Sequence, residues 1–268
     1  MAVQAEGHSE DSGDFILEHI VDHHELHFGP FHIPLPHFEL FGIDMSITGH
    51  LAMMWIASSF LIITVIVSTR RRGLVPSGFA NAIEALMVFI RDDIAVPNFG
   101  KKNALRYMPF LMTVFLFILA CNLLGLIPFG LTATSNINVT ATLALISFAM
   151  MLSAGIKHNG LFGFFKGLIP PNLPVALLPL MIPMEIVGLF TKPFALCIRL
   201  FANMLAGHVV ILSLIGIIFI LQTLFVAPFS IAFALAMYML EIFVAFLQAY
   251  VFTLLTALFI GLCMHQEH

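Results

Sequence analysis

The chain has 268 residues, of which 60% are hydrophobic and only 10% are charged, against about 25% charged in ordinary soluble domains. The 15 acidic and 11 basic side chains are too few to coat a soluble globule, so the composition excludes one and predicts a surface covered largely by lipid. The net charge of -4 is unevenly spread, because the first 50 residues hold nine acids and no Lys or Arg, and none follows Arg199.

Residues 1–45 form an acidic, histidine-rich segment that is predicted to lie outside the cytoplasm. Its densest cluster is His23-His24-Glu25-Leu26-His27, but the spacing typical of a structural zinc site is absent. A solvated tail is therefore favoured over a metal site, and neither a metal nor a cofactor is expected. The first 14 residues contain no basic region and no apolar core, so they do not predict a cleaved signal peptide.

The first predicted membrane helix covers residues 48–69, near the start of a membrane domain of residues 46–265. Its apolar run is about as long as a helix needs to cross a ~30 Å hydrocarbon core. Arg70, Arg71 and Arg72 follow it. Since basic residues favour the cytoplasmic side of a membrane, the N-terminus is predicted to be extracytoplasmic.

Residues 78–96 are predicted to form an amphipathic helix on the cytoplasmic membrane surface. Glu84 and Arg91 are seven residues apart and share a helical face, with Asp92 beside them. Apolar residues face elsewhere, a pattern that favours a helix lying in the interface over one that spans the membrane.

Two membrane-spanning helices are predicted next, as a hairpin over residues 104–129 and 138–157. Basic residues precede the first helix and follow the second, whereas the turn between them is polar and uncharged. Both ends of the hairpin are therefore predicted to lie on the cytoplasmic side, in agreement with the arginine cluster.

The last two helices are predicted over residues 175–222 and 226–264, which places the C-terminus in the cytoplasm. The 39 residues from Pro183 to Leu221 would make a helix about 58 Å long, nearly twice the hydrocarbon thickness. Two explanations remain open, a break into two spans at Pro193 and one steeply tilted helix.

These two helices contain the polar residues that are candidates for function: Glu185, Arg199, Asn203, His208, Glu241 and Gln248. A charge at the bilayer centre costs about 2.5–3.5 kcal/mol on insertion scales, so such residues usually face protein or water and mark an ion path. At about 100° per residue, Glu185, Lys192, Arg199 and Asn203 share one helical face, whereas His208 points the opposite way from Arg199.

The candidate residues also match across an antiparallel hairpin. If the two helices pack around a turn at Gln222-Thr223, then Arg199 lies level with Gln248 and His208 lies level with Glu241, since each pair is centred beside that turn. The hairpin therefore predicts two separate polar sites at two depths of the membrane.

Structural explanations exist for three of the polar residues. A functional role of Lys192 and a structural one, in which its ammonium group reaches towards the membrane surface, explain the residue equally well. His208 by itself is typical of a buried histidine that has found a partner. A purely structural Glu241 would have to stay protonated, because no other acid or base lies near it in the sequence.

Three other classes of membrane protein fit the sequence less well. A secondary transporter would predict repeated halves, and the sequence shows no repeat. A haem-bearing electron-transfer subunit would need paired histidines within the membrane, and only His208 qualifies. A purely structural anchor would not place its polar residues at matching levels of two helices.

The segment Lys192–His208, KPFALCIRLFANMLAGH, resembles the signature of subunit a of rotary, F-type ATP synthases. The resemblance extends to Asn122–Pro128 (NLLGLIP), to Asn136–Thr140 (NINVT) and to Glu241–Tyr250. It covers most of the chain, roughly residues 40–265.

The resemblance implies an all-α, polytopic membrane protein: one N-terminal transmembrane helix, a surface amphipathic helix, a transmembrane hairpin and a long tilted two-helix hairpin packed against a ring of c subunits. Such a subunit provides two offset aqueous half-channels to the carboxylates of the c-ring, and proton flow through them drives rotation and ATP synthesis. It performs no ATP chemistry itself. The implied partners are the c-subunit ring, subunit b of the peripheral stalk, the remaining ATP synthase subunits and membrane lipid, in a bacterial inner membrane, without nucleic acid.

The resemblance also implies a role for each candidate residue. Arg199 matches the essential arginine that faces the ring and separates the two half-channels. Asn203 and Glu185 match positions on the inner, release side, and the outer, uptake side is matched by His208, Glu241 and Gln248. One departure concerns the last group: many bacterial relatives carry the acid at the position of His208 and the histidine at that of Glu241, whereas mitochondrial members resemble this chain.

Overall fold

The computed structural model describes the backbone of most of the chain: residues 25–28, 31–34, 39–40, 43–44, 48–70, 78–127, 132–167, 178–221 and 225–264. Several residues singled out in the sequence lie outside the described ranges. They are His23 and His24 of the N-terminal segment, Arg71, Arg72 and the predicted turn at Gln222-Thr223.

Two short antiparallel hairpins precede the membrane helices. Strand β1 (Glu25–Phe28) pairs with β2 (Phe31–Pro34), with Glu25 opposite Pro34. Strand β3 (Glu39–Leu40) pairs with β4 (Ile43–Asp44) in the same way. The sequence predicted only a polar segment here, so the hairpins add to that expectation.

Nearly all of the remaining described chain is helical, as the all-α prediction requires. The helices are α1 (Gly49–Arg70), α2 (Phe79–Phe89), α3 (Val96–Gly125), α4 (Ile137–Gly167), α5 (Leu178–Leu221) and α6 (Ala227–Met264). Within the described ranges, five helical stretches are long and apolar enough to cross a membrane. The prediction of a polytopic, all-α membrane protein is therefore confirmed.

Helix α2 buries part of its apolar surface, and its position on the membrane surface stays a prediction. It continues through the π-helical segment Ile90–Ala95, and Ile83, Ile90 and Ile94 are buried while Glu84 is exposed. Gly100 then adopts a φ of 72°, in the left-handed region where glycine is favoured, and breaks the helical path before the apolar part of α3. The amphipathic element and the spanning helix are thus separate.

A second glycine break lies in α4. The sequence predicted that this helix ends at residue 157, whereas the structure continues to Gly167 past a left-handed Gly160 with a φ of 72°. The basic residues that suggested an end mark the edge of the apolar run and not the end of the helix. Asn159 lies at the break and donates a hydrogen bond to the carbonyl oxygen of Cys263 at 2.9 Å.

Helix α5 decides between the two explanations of the long apolar run. It is one helix of 44 residues with Pro183 and Pro193 inside it, so the chain does not break at Pro193. At 1.5 Å per residue it is about 66 Å long. A helix of this length is about twice as long as a ~30 Å hydrocarbon core, so it fits such a core only if it tilts steeply or extends beyond it.

The chain divides into two compact units. The first contains the beginning of α1 as far as Phe60, Ile118–Asn136 and Phe201–Gln248. The second contains Leu61–Phe117, Ile137–Leu200 and the chain from Ala249 onwards.

Candidate functional site

The first unit has a polar core. Its buried side chains include an imidazole, a carboxyl group, two amides and several hydroxyls: His50, Asn122, Thr132, Thr134, Ser230, Glu241 and Gln248. Among the described residues of the second unit, the buried polar side chains are hydroxyls only. Groups that can accept, donate or carry a proton are therefore concentrated in the interior of the first unit.

His208 and Glu241 lie opposite each other, as the hairpin register predicted. Nδ1 of His208 is 4.0 Å from Oε1 of Glu241, whose side chain is 4% exposed against 25% for the histidine. Neither carboxyl oxygen has a hydrogen-bond partner among the described residues. An acid that stays buried without a hydrogen-bond donor is poorly stabilised as an anion, so this arrangement suits a group that gains and loses a proton.

Gly207 makes the approach of Glu241 to α5 possible. A Cβ atom at this position would lie 2.5 Å from Oε1 and 2.8 Å from Cδ of Glu241, closer than such atoms come in proteins. Only a residue without a side chain leaves room for the carboxyl group beside the helix.

Thr132 contacts the other side of the His208 ring. Its hydroxyl group is hydrogen bonded to Nε2 of His208. Its carbonyl oxygen accepts a hydrogen bond from Nδ1 of His50, at 3.1 Å. We refer to His50, Thr132, His208 and Glu241 as the histidine cluster.

A second polar contact joins the same two helices. Asn203 donates a hydrogen bond from Nδ2 to Oε1 of Gln248 at 2.7 Å, and Nε2 of Gln248 has no partner among the described residues. The sequence placed Gln248 level with Arg199. In the structure its amide binds Asn203, one helical turn further along α5.

The segment that follows α3 is tied to α6 by buried hydrogen bonds. The hydroxyl group of Thr134 donates to Oδ1 of Asn122 at 2.7 Å, and Nδ2 of Asn122 donates to the carbonyl oxygen of Ala245 at 3.4 Å. Tyr238 donates its hydroxyl hydrogen to the carbonyl oxygen of Leu126 at 2.7 Å. These bonds hold the segment carrying Thr132 in place.

The charged candidates of α5 lie in the second unit. Arg199 is exposed and makes no hydrogen bond or ion pair with any described residue. Glu185 is half-buried and is also unpaired in the part of the chain that the structure describes. Lys192 differs, because its Nζ lies 5.6 Å from the centre of the Phe259 ring, a cation–π contact.

Sequence reasoning missed three residues of the site. His50 was included in the first predicted membrane helix, residues 48–69, but was given no role, although a histidine directly before the apolar run was a usable signal. Thr132 was part of a polar turn and Gly207 part of an apolar run, and neither pattern distinguishes them. Their partners are distant in sequence, so their roles appear only when the helices are packed.

No group of three or more potential metal ligands occurs among the residues that the structure describes. The four members of the histidine cluster include one carboxyl group and two imidazoles, but each imidazole contacts Thr132 through a ring nitrogen. The arrangement suits hydrogen bonding and proton exchange.

Comparison with known proteins assigns this architecture to a family. Residues 51–261 match the family model described as ATP synthase A chain. The chain is 49% identical to the ATP synthase subunit a of Chloroherpeton thalassium, over 94% of this chain and 77% of that protein. It is 51% identical to the ATP synthase subunit a 2 of Prosthecochloris aestuarii, over 100% and 84%, and 47% identical to the subunit a of Anaeromyxobacter dehalogenans, over 95% and 71%.

Proposed function

Because the chain belongs to the family of ATP synthase A chains, the proton-translocating stator subunits of F-type ATP synthases, we propose that Arg199 separates an uptake path from a release path within it. The chain is a bacterial membrane protein and works in a complex with other ATP synthase subunits. The proposal concerns how its own residues move the proton.

The observation that carries the proposal is the unpaired Arg199. Its guanidinium group stays charged at any physiological pH and is exposed on a helix that lies in an apolar environment. A charge in the membrane requires water or an opposite charge, and no described residue supplies the latter. A carboxylate of a neighbouring subunit would supply this opposite charge, and the carboxylates of a c-ring are such partners.

The surface of α5 supports docking of a ring. Only 6% of its most apolar stretch is buried within the chain, against 56% for the stretch within Ala80–Gly125. On the helical face that carries Arg199, Met184 is 59% exposed, and Ala195 and Ala202 are exposed as well. We assign this face to the c-ring; the family resemblance adds subunit b as a further partner.

Uptake of protons is assigned to the polar core of the first unit. His208 and Glu241 exchange the proton, and Gln248 belongs to the same path. Asn203, which the resemblance assigns to the release side, lies between His208 and Arg199 along α5, and its bond to Gln248 places it at the boundary of the two paths. Asn203 is four residues from Arg199, about 6 Å along the helix, and His208 is about 7.5 Å further. A proton therefore reaches the ring carboxylate on one side of the arginine.

Release is assigned to the side of α5 that carries Glu185. The fixed positive charge of Arg199 repels a proton moving directly between the two paths and attracts a ring carboxylate that has lost its proton. The ring must then turn for a proton to pass from one path to the other. Each proton that descends 100 mV supplies about 2.3 kcal/mol for that rotation.

The experiment measures ATP-driven proton pumping in inverted membrane vesicles that contain the complete ATP synthase. We expect Arg199→Ala to abolish pumping while the chain still copurifies with the complex, because the arginine is exposed and makes no hydrogen bond or ion pair with any described residue. Arg91→Ala is the matched control, since Arg91 is bonded to the neighbouring Asp92 at 2.7 Å and lies outside the proposed path. An assembled Arg199→Ala complex that pumps at the rate of the control would refute the proposal.

A further inference from the structure

Thr132 is fixed in position from several sides. Its carbonyl oxygen accepts hydrogen bonds from Nδ1 of His50 at 3.1 Å and from the hydroxyl group of Ser135 at 2.7 Å. Its side chain packs against Gly125, where an added Cβ would lie 2.5 Å from Cγ2 and Oγ1 of Thr132. The threonine is also buried, at 2% exposure, so its hydroxyl group has little freedom to turn away from the His208 ring.

The contact between Thr132 and His208 determines how the imidazole is used. An imidazole has two nitrogen atoms, and the hydrogen bond made by one of them sets the orientation and the role of the other. Thr132 occupies Nε2, so Nδ1 is the atom that faces Oε1 of Glu241. Without the hydroxyl group, rotation of the ring would no longer be opposed on the Nε2 side.

We propose that Thr132 and His50 are positioning residues of the uptake path: Thr132 holds His208 through Nε2 with Nδ1 towards Glu241, and His50 holds the backbone of Thr132. The inference rests on the proposed function, in which His208 and Glu241 exchange the entering proton. A proton moving between Nδ1 and Oε1 breaks one N–H or O–H bond and forms the other. The hydrogen bond at Nε2 persists throughout, so the ring returns to the same orientation for each proton.

His50 contributes a hydrogen-bond donor, and not a charge, to the proposed uptake path. Its Nδ1–H bonds to a backbone carbonyl group, which cannot pass a proton on to the threonine hydroxyl group. His50 lies in the first turn of α1 and is 3% exposed, so the bond is shielded from water and joins α1 to the segment after α3. The role of the imidazole is therefore mechanical support of Thr132.

The hydroxyl group is tested with two variants of similar shape. Thr132→Val removes the hydroxyl group and keeps the volume, and we expect about a fivefold lower rate of ATP-driven proton pumping, the factor that corresponds to one lost hydrogen bond. Thr132→Ser keeps the hydroxyl group and should recover most of the rate. Thr253→Val is the matched control, because Thr253 is equally buried but donates its hydrogen bond to Ala249 within α6, at 2.9 Å.

His50 is tested in the same vesicles. His50→Asn retains an N–H donor close to the position of Nδ1, whereas His50→Leu has none. We expect the asparagine variant to pump several times faster than the leucine variant. If His50 carried protons itself, both variants would be equally slow, and that result would overturn its assignment as a positioning residue.

Each outcome decides one question. Equal pumping rates for Thr132→Val and Thr132→Ser, at whatever level, overturn the role of the hydroxyl group. If Thr132→Val fails to assemble, the comparison of the two His50 variants decides the inference instead. Arg199→Ala in the same preparation distinguishes failure of the proposed function from failure of the positioning role. A normal pumping rate for Arg199→Ala would refute the proposed function. If Arg199→Ala is inactive while Thr132→Val and Thr132→Ser pump equally fast, only the positioning role is refuted.

Discussion

The close approach of Glu241 to Gly207 leads to a sharp prediction for Gly207→Ala. A methyl group at this position would lie 2.5 Å from Oε1 of Glu241, whereas ordinary contacts begin at 3.4 Å. The carboxyl group must therefore move by about 0.9 Å, the difference between these distances. It is the end of a flexible side chain, so it turns aside before α5 or α6 has to shift.

The displacement affects proton transfer more than stability. Glycine is about 1 kcal/mol less favourable than alanine inside a helix, so the substitution strengthens α5 locally and offsets part of the steric strain. A misplacement of about 1 Å between reacting groups reduces rates by up to about 100-fold. We therefore expect Gly207→Ala to assemble normally and to pump protons between about 10 and 100 times more slowly.

The same helix supplies the control. Gly216 lies in α5, and a Cβ built there meets no atom within 4 Å. Gly216→Ala therefore changes helix propensity by the same amount without touching the site. ATP-driven acidification of vesicles and copurification of the chain are measured for both variants. Equal pumping by Gly207→Ala and Gly216→Ala would show that the position of the Glu241 carboxyl group does not limit proton uptake.

Two further predictions concern other contacts of α5. Asn203→Leu and Gln248→Leu each remove the same 2.7 Å hydrogen bond, so the double variant should pump no more slowly than the slower single variant, and multiplied losses would contradict a shared bond. Lys192→Leu removes the cation–π contact with Phe259 and should lower the free energy of unfolding by about 1 kcal/mol with little change in pumping. Lys192→Arg retains the cation–π contact and should retain the stability. Loss of pumping in assembled Lys192→Leu would place the lysine in the proton path instead.

Much of the helical framework could be predicted from the sequence. Backbone polar groups have no partners in lipid, so long apolar runs are forced into helices, and their lengths follow from the bilayer thickness. The pairing of His208 with Glu241 was also predictable, because an antiparallel hairpin has a fixed register once its turn is located. The partner of Gln248 was not predictable. Arg199 and Asn203 are one helical turn apart, and the direction of the side chains determines which of the two contacts Gln248.

Other features depend on packing that the sequence does not encode locally. Whether Pro193 would break α5 could not be decided, because prolines are tolerated in membrane helices when neighbouring groups satisfy the freed carbonyl group. Thr132 and His50 belong to segments that are 82 residues apart and meet only in the folded chain. Gly207 matters because of the residue that approaches it and not because of its own chemistry.

The continuity of α5 has a mechanical consequence. Proline lacks an N–H group, so Pro193 leaves the helix without its usual bond to the carbonyl group of Leu189, and a rod bends most easily where such a bond is missing. In the docked complex that we propose, a sideways force on α5 from the turning ring would be taken up as elastic bending near residues 189–193. Arg199 lies beyond that flexible point, about 9 Å further along the helix, on a stretch without proline. Under the proposed function, the most flexible point of α5 therefore lies beside Arg199 and not at it.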